Sequence, residues 1–267
     1  MIDTHVHTHL SCDSEETMAA YLYQAERKGV KVLCFTEHAD FNPYDYGYLY
    51  YNPDAFFRDI GHAKRLSAGK VEILSGIEFG ETHLYPHQLR LLLKYPYDFV
   101  LGSIHWVNNL FPDEKTRMKY DAKEFFDMYW TQMLEMVKFG GFDSLAHIDF
   151  PKRYYGELHY KGSVLREIFS RLLENDAVIE INTSSLRKGC PESMPAKEII
   201  ELYRDMGGKC VTIGSDSHIA GDLAADFEKA RALAEEMGLE ICLYRERKRY
   251  IWREASARPQ GFDMLKR

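Results

Sequence analysis

Short apolar segments rich in β-branched residues alternate along the chain with longer segments in which apolar residues recur every three or four positions. The first pattern is typical of buried strands and the second of amphipathic helices. Strands are predicted at residues 2–6, 31–36, 71–78, 98–104, 144–148, 178–182 and 209–214. Helices are predicted near residues 16–29, 53–68, 121–139, 162–174, 195–206 and 222–237. This alternation predicts repeated βα units around a largely parallel sheet.

Segments outside these elements carry their own signals. The polar segment 14–17 and Asn52-Pro53 are suited to begin helices, and glycines stand where four helices should end: Gly29, Gly69, Gly140 and Gly207. Residues 241–252 form two β-like segments around a polar turn and predict a terminal hairpin, and the polar tail 255–267 is expected to fray. Long loops are expected in two places, and such loops are usually functional: 39–52 and 106–120.

Composition and charge are those of an ordinary globular protein. The 267 residues are 45% hydrophobic, enough for a packed core, and we expect a single domain over residues 1–267. Asp and Glu outnumber Lys and Arg by 41 to 34, and the net charge of −7 disfavours nucleic acid as a partner. A small phosphorylated substrate stays compatible with this charge, because divalent cations reverse the potential inside an acidic site.

Two further features indicate the compartment. The five cysteines are widely spaced and include no CxxC pair, which is typical of thiols in a reducing cytoplasm. The chain begins without the basic residues and apolar run of a secretory signal, and no apolar segment approaches the roughly 20 residues that cross a bilayer. We therefore expect a cytoplasmic protein with no membrane partner.

Residues that bind metals lie at the carboxyl ends of six of the seven predicted strands. The period of two along the first strand turns His5 and His7 to the same face. The other five ends carry Thr36-Glu37-His38, Gly76-Ile77-Glu78, Ser103-Ile104-His105, Ala146-His147 and Gly214-Ser215-Asp216-Ser217-His218. Barrel enzymes build their sites at this edge. A lone histidine is more often structural, but repetition at six strand ends favours a metal centre.

The candidate metal ligands fall into three groups. One group joins two histidines to two carboxylates: His5, His7, Glu78 and Asp216. The second uses Glu78 as a bridge, because a carboxylate has two oxygens, and adds two histidines: His105 and His147. The third group is Asp13, His38 and His218. Imidazole and carboxylate donors without thiolate favour Zn²⁺, Mn²⁺ or Fe²⁺, and two or three such ions are the expected cofactors.

Taken together, these motifs resemble the polymerase-and-histidinol-phosphatase (PHP) superfamily, and they span nearly the whole chain in the expected order. The chain length and three further pieces are most similar to the histidinol-phosphate phosphatase branch: His5-x-His7 with Asp13-Ser14, residues 149–153 and residues 182–187. The resemblance implies an α/β fold, namely a distorted seven-stranded (βα)7 barrel like a TIM barrel, with a trinuclear metal site at the C-terminal edge of the strands. It also implies hydrolysis of L-histidinol phosphate to L-histidinol and phosphate in histidine biosynthesis.

One position departs from the pattern of the family. Many members carry a histidine where this chain has Asp13. An oxygen ligand there favours harder ions such as Mn²⁺ or Fe²⁺ slightly over Zn²⁺. His9 has no counterpart in the pattern, and we expect it in a loop or behind the ligands.

The implied reaction needs a strong nucleophile, because phosphomonoester hydrolysis is among the slowest uncatalysed reactions. A water acidified by two metals is the expected attacking hydroxide, and it needs no side-chain nucleophile. We expect Glu78, Asp216 and His218 to serve catalysis as well as metal binding.

The phosphoryl group also needs cations on its outer side. Guanidinium groups match phosphate oxygens, and Arg153 and Arg187 follow the fifth and sixth strands on the metal-bearing edge. These two arginines are the candidates for phosphate binding, and their neighbours Lys152 and Lys188 are weaker candidates.

Other side chains offer protons and substrate contacts. The candidates for the general acid are Glu37, Asp40 and His83. For Glu37 we favour a different role, in which it orients a ligating imidazole. The amino and imidazole groups of the substrate call for acidic or aromatic partners, which the loops supply: Asp40, Phe41, Tyr44, Asp45, Tyr46, Glu81 and Trp106.

Three other functions compete with this one. The first is a phosphoesterase of other or broader specificity, acting on nucleotides, sugar phosphates or phosphotyrosine. The second is an amidohydrolase-like deaminase, which the absence of a lysine at a comparable strand end disfavours. The third is a metal-binding module without catalysis, which is disfavoured because no position of the expected ligand set is vacant.

Overall fold

A sheet of nine strands organises residues 1–253, the part of the chain that this computed structural model describes. The strands are β1 (Ile2–Val6), β2 (Val32–Ala39), β3 (Glu72–Gly80), β4 (Phe99–Ser103), β5 (Ser144–Leu145), β6 (Val178–Asn182), β7 (Cys210–Gly214), β8 (Glu240–Arg245) and β9 (Lys248–Ile251). Neighbouring strands pair in chain order, in parallel from β1 to β8, and β9 runs antiparallel to β8. The predicted parallel sheet is therefore confirmed, and the predicted tail 255–267 lies outside the described residues.

Helices fill most of the connections between the parallel strands. They are α1 (Met18–Lys28), α2 (Pro53–Ser67), α3 (Pro86–Leu92), α4 (Glu114–Arg117), α5 (Ala122–Phe139), α6 (Lys152–Tyr155), α7 (Gly162–Glu174), α8 (Ser184–Arg187), α9 (Lys197–Asp205) and α10 (Phe227–Glu236). Thr17 and Asn52 cap α1 and α2 by accepting backbone N–H groups three residues ahead. In the part of the chain described, no helix is long and apolar enough to span a membrane.

The predicted count of seven barrel strands is not confirmed, because the terminal hairpin β8–β9 joins the same sheet. β8 pairs with the start of β7, at Cys210 and Val211. The end of β7 turns instead towards β1, where Thr4 donates a hydrogen bond to the Ile213 carbonyl and an isolated bridge joins Val6 to Ser217. The start of β7 thus pairs with β8, and only the end of β7 approaches β1. The described sheet therefore has no continuous β1–β7 ladder and is not closed.

The strands separate two apolar cores. The larger core lies between the sheet and the helices and includes Phe35, Phe126 and Phe169. The smaller core lies on the other face, near the start of the strands, where Phe99 of β4 stacks on Tyr244 of the hairpin. Apolar side chains thus occupy the amino end of the sheet interior, and the carboxyl end is left for polar groups.

Candidate metal centre

The first predicted ligand group converges on one point at the ends of β1, β3 and β7. The Nε2 atoms of His5 and His7 lie 3.2 and 3.4 Å from Oε2 of Glu78. They lie 3.8 and 3.5 Å from Oδ1 of Asp216. Asp216 has a left-handed φ of 52°, and its amide donates to the His5 carbonyl at 2.8 Å, so the turn after β7 is fastened to β1.

The second group meets the other oxygen of the same carboxylate. Oε1 of Glu78 lies 2.9 Å from Nε2 of His147 and 3.3 Å from Nε2 of His105. Glu78 is 1% exposed, so both of its oxygens face ligands rather than water. This is the arrangement expected of a carboxylate that bridges two ions.

The third group lies at the mouth of the site. Oδ2 of Asp13 lies 3.0 Å from Nε2 of His218 and 3.5 Å from Nε2 of His38. The two Nε2 atoms are 3.4 Å apart. The Nδ1 atom of His38 lies 3.0 Å from Oε2 of Glu78, the oxygen that also faces His5 and His7, so His38 contacts the first group as well as the third.

These donor atoms fit divalent cations. Ligands held about 2.1 Å from a tetrahedral ion lie roughly 3.4 Å from one another, which is close to the separations above. Nε2 of His7 and Nδ1 of His38 are buried and have no hydrogen-bond partner among residues 1–253, as metal-binding nitrogens would. In each of three sets of residues, the three donor atoms all lie within 4.8 Å of one another. The sets are His7, His38 and His218; His5, His7 and Asp216; and His38, Glu78 and His105.

Carboxylates and imidazoles of the cluster shift one another's pKa values. Burial disfavours the ionised forms, but the histidines around Glu78 hold the pKa of this carboxyl well below its usual value. The pKa values of Asp13 and Asp216 are lowered for the same reason, mainly by His38 and His5 respectively. A cluster of carboxylates held ionised in this way is ready to accept cations.

The histidines of the cluster respond to the same carboxylates. Burial lowers the pKa of an imidazole, but Glu180 and Glu78 raise the pKa of His5 well above its usual value. Glu78 does the same for His38 and His105. His7 is the exception, because burial and the neighbouring His38 lower its pKa. These raised pKa values favour the protonated imidazoles, whereas metal binding requires the neutral ones.

Glu180 is a site residue that the sequence analysis did not identify. It is fully buried in β6, and its Oε1 lies 2.7 Å from Nδ1 of His5. Its Oε2 accepts the backbone N–H of His147 at 3.0 Å. Gly214 makes room for this contact, because a Cβ there would collide with the Glu180 carboxylate and with His5. The signal in the sequence was an acidic residue between the two isoleucines of a strand.

The three candidates for the general acid lie in different places. Glu37 is buried and accepts hydrogen bonds from Thr8 and Ser11, and Ser11 lies 3.1 Å from Nδ1 of His7. Glu37 thus holds the turn behind a ligand, which is the role we favoured. Asp40 lines the cavity in front of the cluster, 3.3 Å from Nδ1 of His105. Neither Glu37 nor His83 lines that cavity.

The two predicted phosphate-binding arginines also differ in position. Arg153 lines the cavity, with Nη1 4.0 Å from Asp216 and its guanidinium over the ring of Tyr154. Arg187 does not line it. Its Nη2 donates to the Ser215 carbonyl at 2.6 Å, and its Nε lies 3.1 Å from Asp222.

The two lysines next to these arginines differ as well. Lys152 is buried and bound to Asp149 and to the Ser193 carbonyl, so it is committed to the fold. Lys188 is exposed, and Arg153 is the main cause of the lowering of its pKa. It therefore lies in the positive field of that arginine.

Of the loop residues expected to contact substrate, three line the cavity: Asp40, Asp45 and Tyr46. The others have different partners. Phe41 packs against Phe79, Tyr44 is exposed, and the buried Glu81 accepts the backbone N–H groups of His105 and Trp106. The cavity also has a wall that the sequence analysis did not predict: Cys12, Phe111, Phe150 and Tyr154.

Comparison with known proteins places this arrangement in context. The PHP domain model matches residues 3–184. The chain is 34% identical to a probable histidinol-phosphatase of Clostridium acetobutylicum, with 92% of this chain and 98% of that protein covered. It is 30% identical to a probable histidinol-phosphatase of Thermotoga maritima, with 90% and 94% covered. The crystal structure of histidinol phosphate phosphatase from Lactococcus lactis, complexed with zinc, L-histidinol and phosphate, superposes with a TM-score of 0.82 at 26% identity, covering 94% of this chain and 98% of that one.

Proposed function

The chain belongs to the PHP domain family, and from that premise we propose that it is a metal-dependent histidinol-phosphatase. It hydrolyses L-histidinol phosphate to L-histidinol and phosphate, a step of histidine biosynthesis. Support comes from relatives that match nearly the whole chain and from the similar structure that holds zinc, L-histidinol and phosphate. Within this chain, the observation that carries the proposal is the convergence of three ligand groups around the buried Glu78, with six of the nine side chains lining one cavity.

We assign the metal sites to the nine residues predicted from the strand ends: His5, His7, Asp13, His38, Glu78, His105, His147, Asp216 and His218. Their number suits two or three divalent ions, and their nitrogen and oxygen donors suit zinc, manganese or iron. When bound, such ions supply a water of lowered pKa as the nucleophile and neutralise the phosphoryl oxygens. Glu78, Asp216 and His218 act in the reaction by holding this centre in place.

The side chains around the cluster have separate tasks. Arg153 faces the cavity and is placed to make bidentate contacts with phosphate oxygens. Asp40 is the one candidate general acid that lines the cavity, 3.3 Å from Nδ1 of His105, so we assign that role to it. For Arg187 the geometry supports a positioning role, because its guanidinium binds the main chain that carries Asp216.

Hydrogen bonds between β1 and the segment that follows β7 support a distorted barrel formed by β1–β7. The seam between β1 and β7 is bridged by the His7 amide to the Ser217 carbonyl at 2.9 Å and by the Asp216 amide to the His5 carbonyl at 2.8 Å. Both hydrogen bonds involve candidate ligands, so this seam lies directly beside the cluster. The hairpin β8–β9 then covers the amino end of the strands.

The test is a metal reconstitution assay with two substrates. The purified protein is stripped of metal, reloaded with Mn²⁺, Fe²⁺ or Zn²⁺, and assayed for phosphate release from L-histidinol phosphate and from p-nitrophenyl phosphate. We expect restored activity and a kcat/KM at least about 100-fold higher for L-histidinol phosphate, which corresponds to roughly 2.8 kcal/mol of selective binding. Glu78→Gln should lose the activity, and the exposed His62→Gln should keep it.

Two results would contradict the proposal. Equal kcat/KM on both substrates would indicate a phosphatase of broad specificity. Absence of turnover with every metal, in a protein that has bound the metal, would remove the assignment as an enzyme.

A further inference from the structure

Asp45 differs from the other carboxylates that line the cavity. Asp13, Asp40 and Asp216 each lie within 4.0 Å of histidines of the metal cluster. Asp45 lines the same cavity, but within residues 1–253 no Lys, Arg or His nitrogen lies within that distance of it. A carboxylate without a cation of its own, in a cavity that must bind a substrate, has a free charge to offer.

The carboxylate of Asp45 is nevertheless held firmly. Its Oδ2 accepts the indole N–H of Trp106 at 2.6 Å, and its Oδ1 accepts the Gly47 amide at 2.6 Å. Gly47 allows this close approach, because a Cβ there would lie 2.7 Å from Sγ of Cys12 and 3.0 Å from Asp45. A preorganised carboxylate loses little entropy when it binds a cation.

Trp106 also connects Asp45 to the metal centre. It directly follows His105, and the backbone N–H groups of both residues donate to the buried Glu81, at 2.7 and 2.9 Å. Two hydrogen bonds therefore anchor the backbone of a candidate ligand and of the residue whose indole holds Asp45. A carboxylate anchored in this way favours substrates whose phosphate and cationic group are separated by the matching distance.

We propose that Asp45 is a specificity-determining residue that binds the ammonium group of the substrate while the phosphate lies at the metal cluster and Arg153. The inference rests on the proposed function. An aliphatic ammonium keeps its charge at neutral pH, whereas an imidazole with a pKa near 6.5 is mostly neutral, so the ammonium is the better partner for a carboxylate. The imidazole ring is left for the aromatic wall of the cavity, formed by Phe111, Phe150 and Tyr154.

The test compares two substrates that differ only in the ammonium group: L-histidinol phosphate and its deamino analogue, 3-(imidazol-4-yl)propyl phosphate. The readout is the ratio of their kcat/KM values. Wild type should prefer L-histidinol phosphate, and Asp45→Asn should lower the ratio about 10- to 100-fold, as expected for the loss of one partner of a charge pair. The exposed Asp205→Asn is the matched control and should leave the ratio within about twofold of wild type.

A second variant and a binding measurement distinguish a loss of specificity from misfolding of the variant. Trp106→Phe keeps an aromatic ring but loses the N–H donor, so it should lower the same ratio by a smaller factor. The inhibition constant of L-histidinol should rise in Asp45→Asn at unchanged metal content. An unchanged ratio in both variants would overturn the assignment, as would a wild type that does not discriminate between the two substrates. Failure of wild type to hydrolyse either substrate would instead overturn the proposed function.

Discussion

Arg153 and Arg187 follow neighbouring strands, yet they contact different parts of the site. Their alanine variants should therefore change different properties of the protein. Arg153→Ala removes a cation from the cavity, so kcat/KM for L-histidinol phosphate should fall about 10- to 100-fold with metal content unchanged. Arg187→Ala frees the main chain at Ser215 and Asp216, so it should lower metal content and thermal stability. Steady-state kinetics with metal analysis separate the two, and equal metal content in Arg187→Ala at reduced kcat/KM would return Arg187 to phosphate binding.

Glu180 should act on the metals through His5. Glu180→Gln is isosteric but replaces one carboxylate oxygen with an NH₂ group, so it disturbs either the contact with His5 or the contact with the His147 amide. Loss of such an orienting carboxylate typically reduces metal affinity about 10- to 100-fold. Competition with a chelator measures this directly. Glu157→Gln, at an exposed position, should match wild type, and an unchanged affinity in Glu180→Gln would mean that His5 needs no orienting partner.

These two predictions also show what the sequence can reveal about single residues. Ligands such as Glu78 and His105 were identified because they stand at strand ends, where parallel strands bring distant side chains together. Glu180 lies in the middle of β6, and its role depends on the approach of His5 from a strand 175 positions away in the chain. Asp45 is similar, because its hydrogen bond to Trp106 joins two long loops.

At the scale of elements, strong hydrophobic periodicity predicted the long helices and most of the strands. β6 and α7 have the predicted bounds, and Gly29 ends α1 in a left-handed conformation with φ of 72°. The fifth strand was predicted over 144–148 but ends at Leu145, since the chain turns at His147, where φ is 23°. One-turn helices such as α6 and α8 were missed, because four residues carry no periodic signal.

The β8–β9 hairpin is held to the sheet by arginines that meet acids at the amino ends of the strands. Arg247 pairs with the buried Asp143, and burial raises the pKa of Asp143 although Arg247 opposes this. Arg247→Ala should lower the free energy of unfolding by about 2 kcal/mol at neutral pH, because the buried carboxylate loses its cationic partner and keeps the hydrogen bond from the Val100 amide. The activity should be unchanged, since this face lies opposite the metal cluster.

The decrease in the free energy of unfolding caused by Arg247→Ala should depend on pH. A carboxyl whose pKa is raised by folding favours the protonated form in the native state, so its contribution to stability falls as the pH rises through that pKa. Without Arg247 this pKa rises further, and the deficit of the variant should be small near pH 4 and larger at pH 7. Urea unfolding at both pH values tests this, with Arg171→Ala at an exposed pair as control. An equal deficit at both values would contradict it.

For the whole molecule, one consequence of the fold is that metal binding and stability share the same residues. The ligands come from β1, β2 and β3 and from segments that follow β1, β4, β5 and β7, so a single cluster ties the first strand of the sheet to the end of the seventh. The metals should therefore stabilise the native state as a whole, and not one loop. This follows because the unfolded chain has no preformed site.

The metal-stripped protein should be most stable in mildly acidic solution. The raised pKa values of His5, His38 and His105 contribute stability below about pH 6.5, and this contribution is lost as the pH rises through those pKa values. The lowered pKa of Glu78 contributes stability above about pH 4.5, which is lost at lower pH. The melting temperature of the stripped protein should thus peak between about pH 4.5 and 6.5 and decline towards pH 8.

Adding metal should reverse this dependence, because cations bind neutral imidazoles and must displace the protons that stabilise the empty cluster. Zn²⁺ or Mn²⁺ at one fixed concentration, about 100 times its dissociation constant at pH 8, should raise the melting temperature by roughly 5–10 °C at pH 8 and by less at pH 5.5, where protons compete for the imidazoles. Thermal scans of stripped and reloaded protein across this range give both curves. In Glu78→Gln the increase at pH 8 should largely disappear. An increase of equal size at both pH values would show that these histidines carry no proton in the empty site.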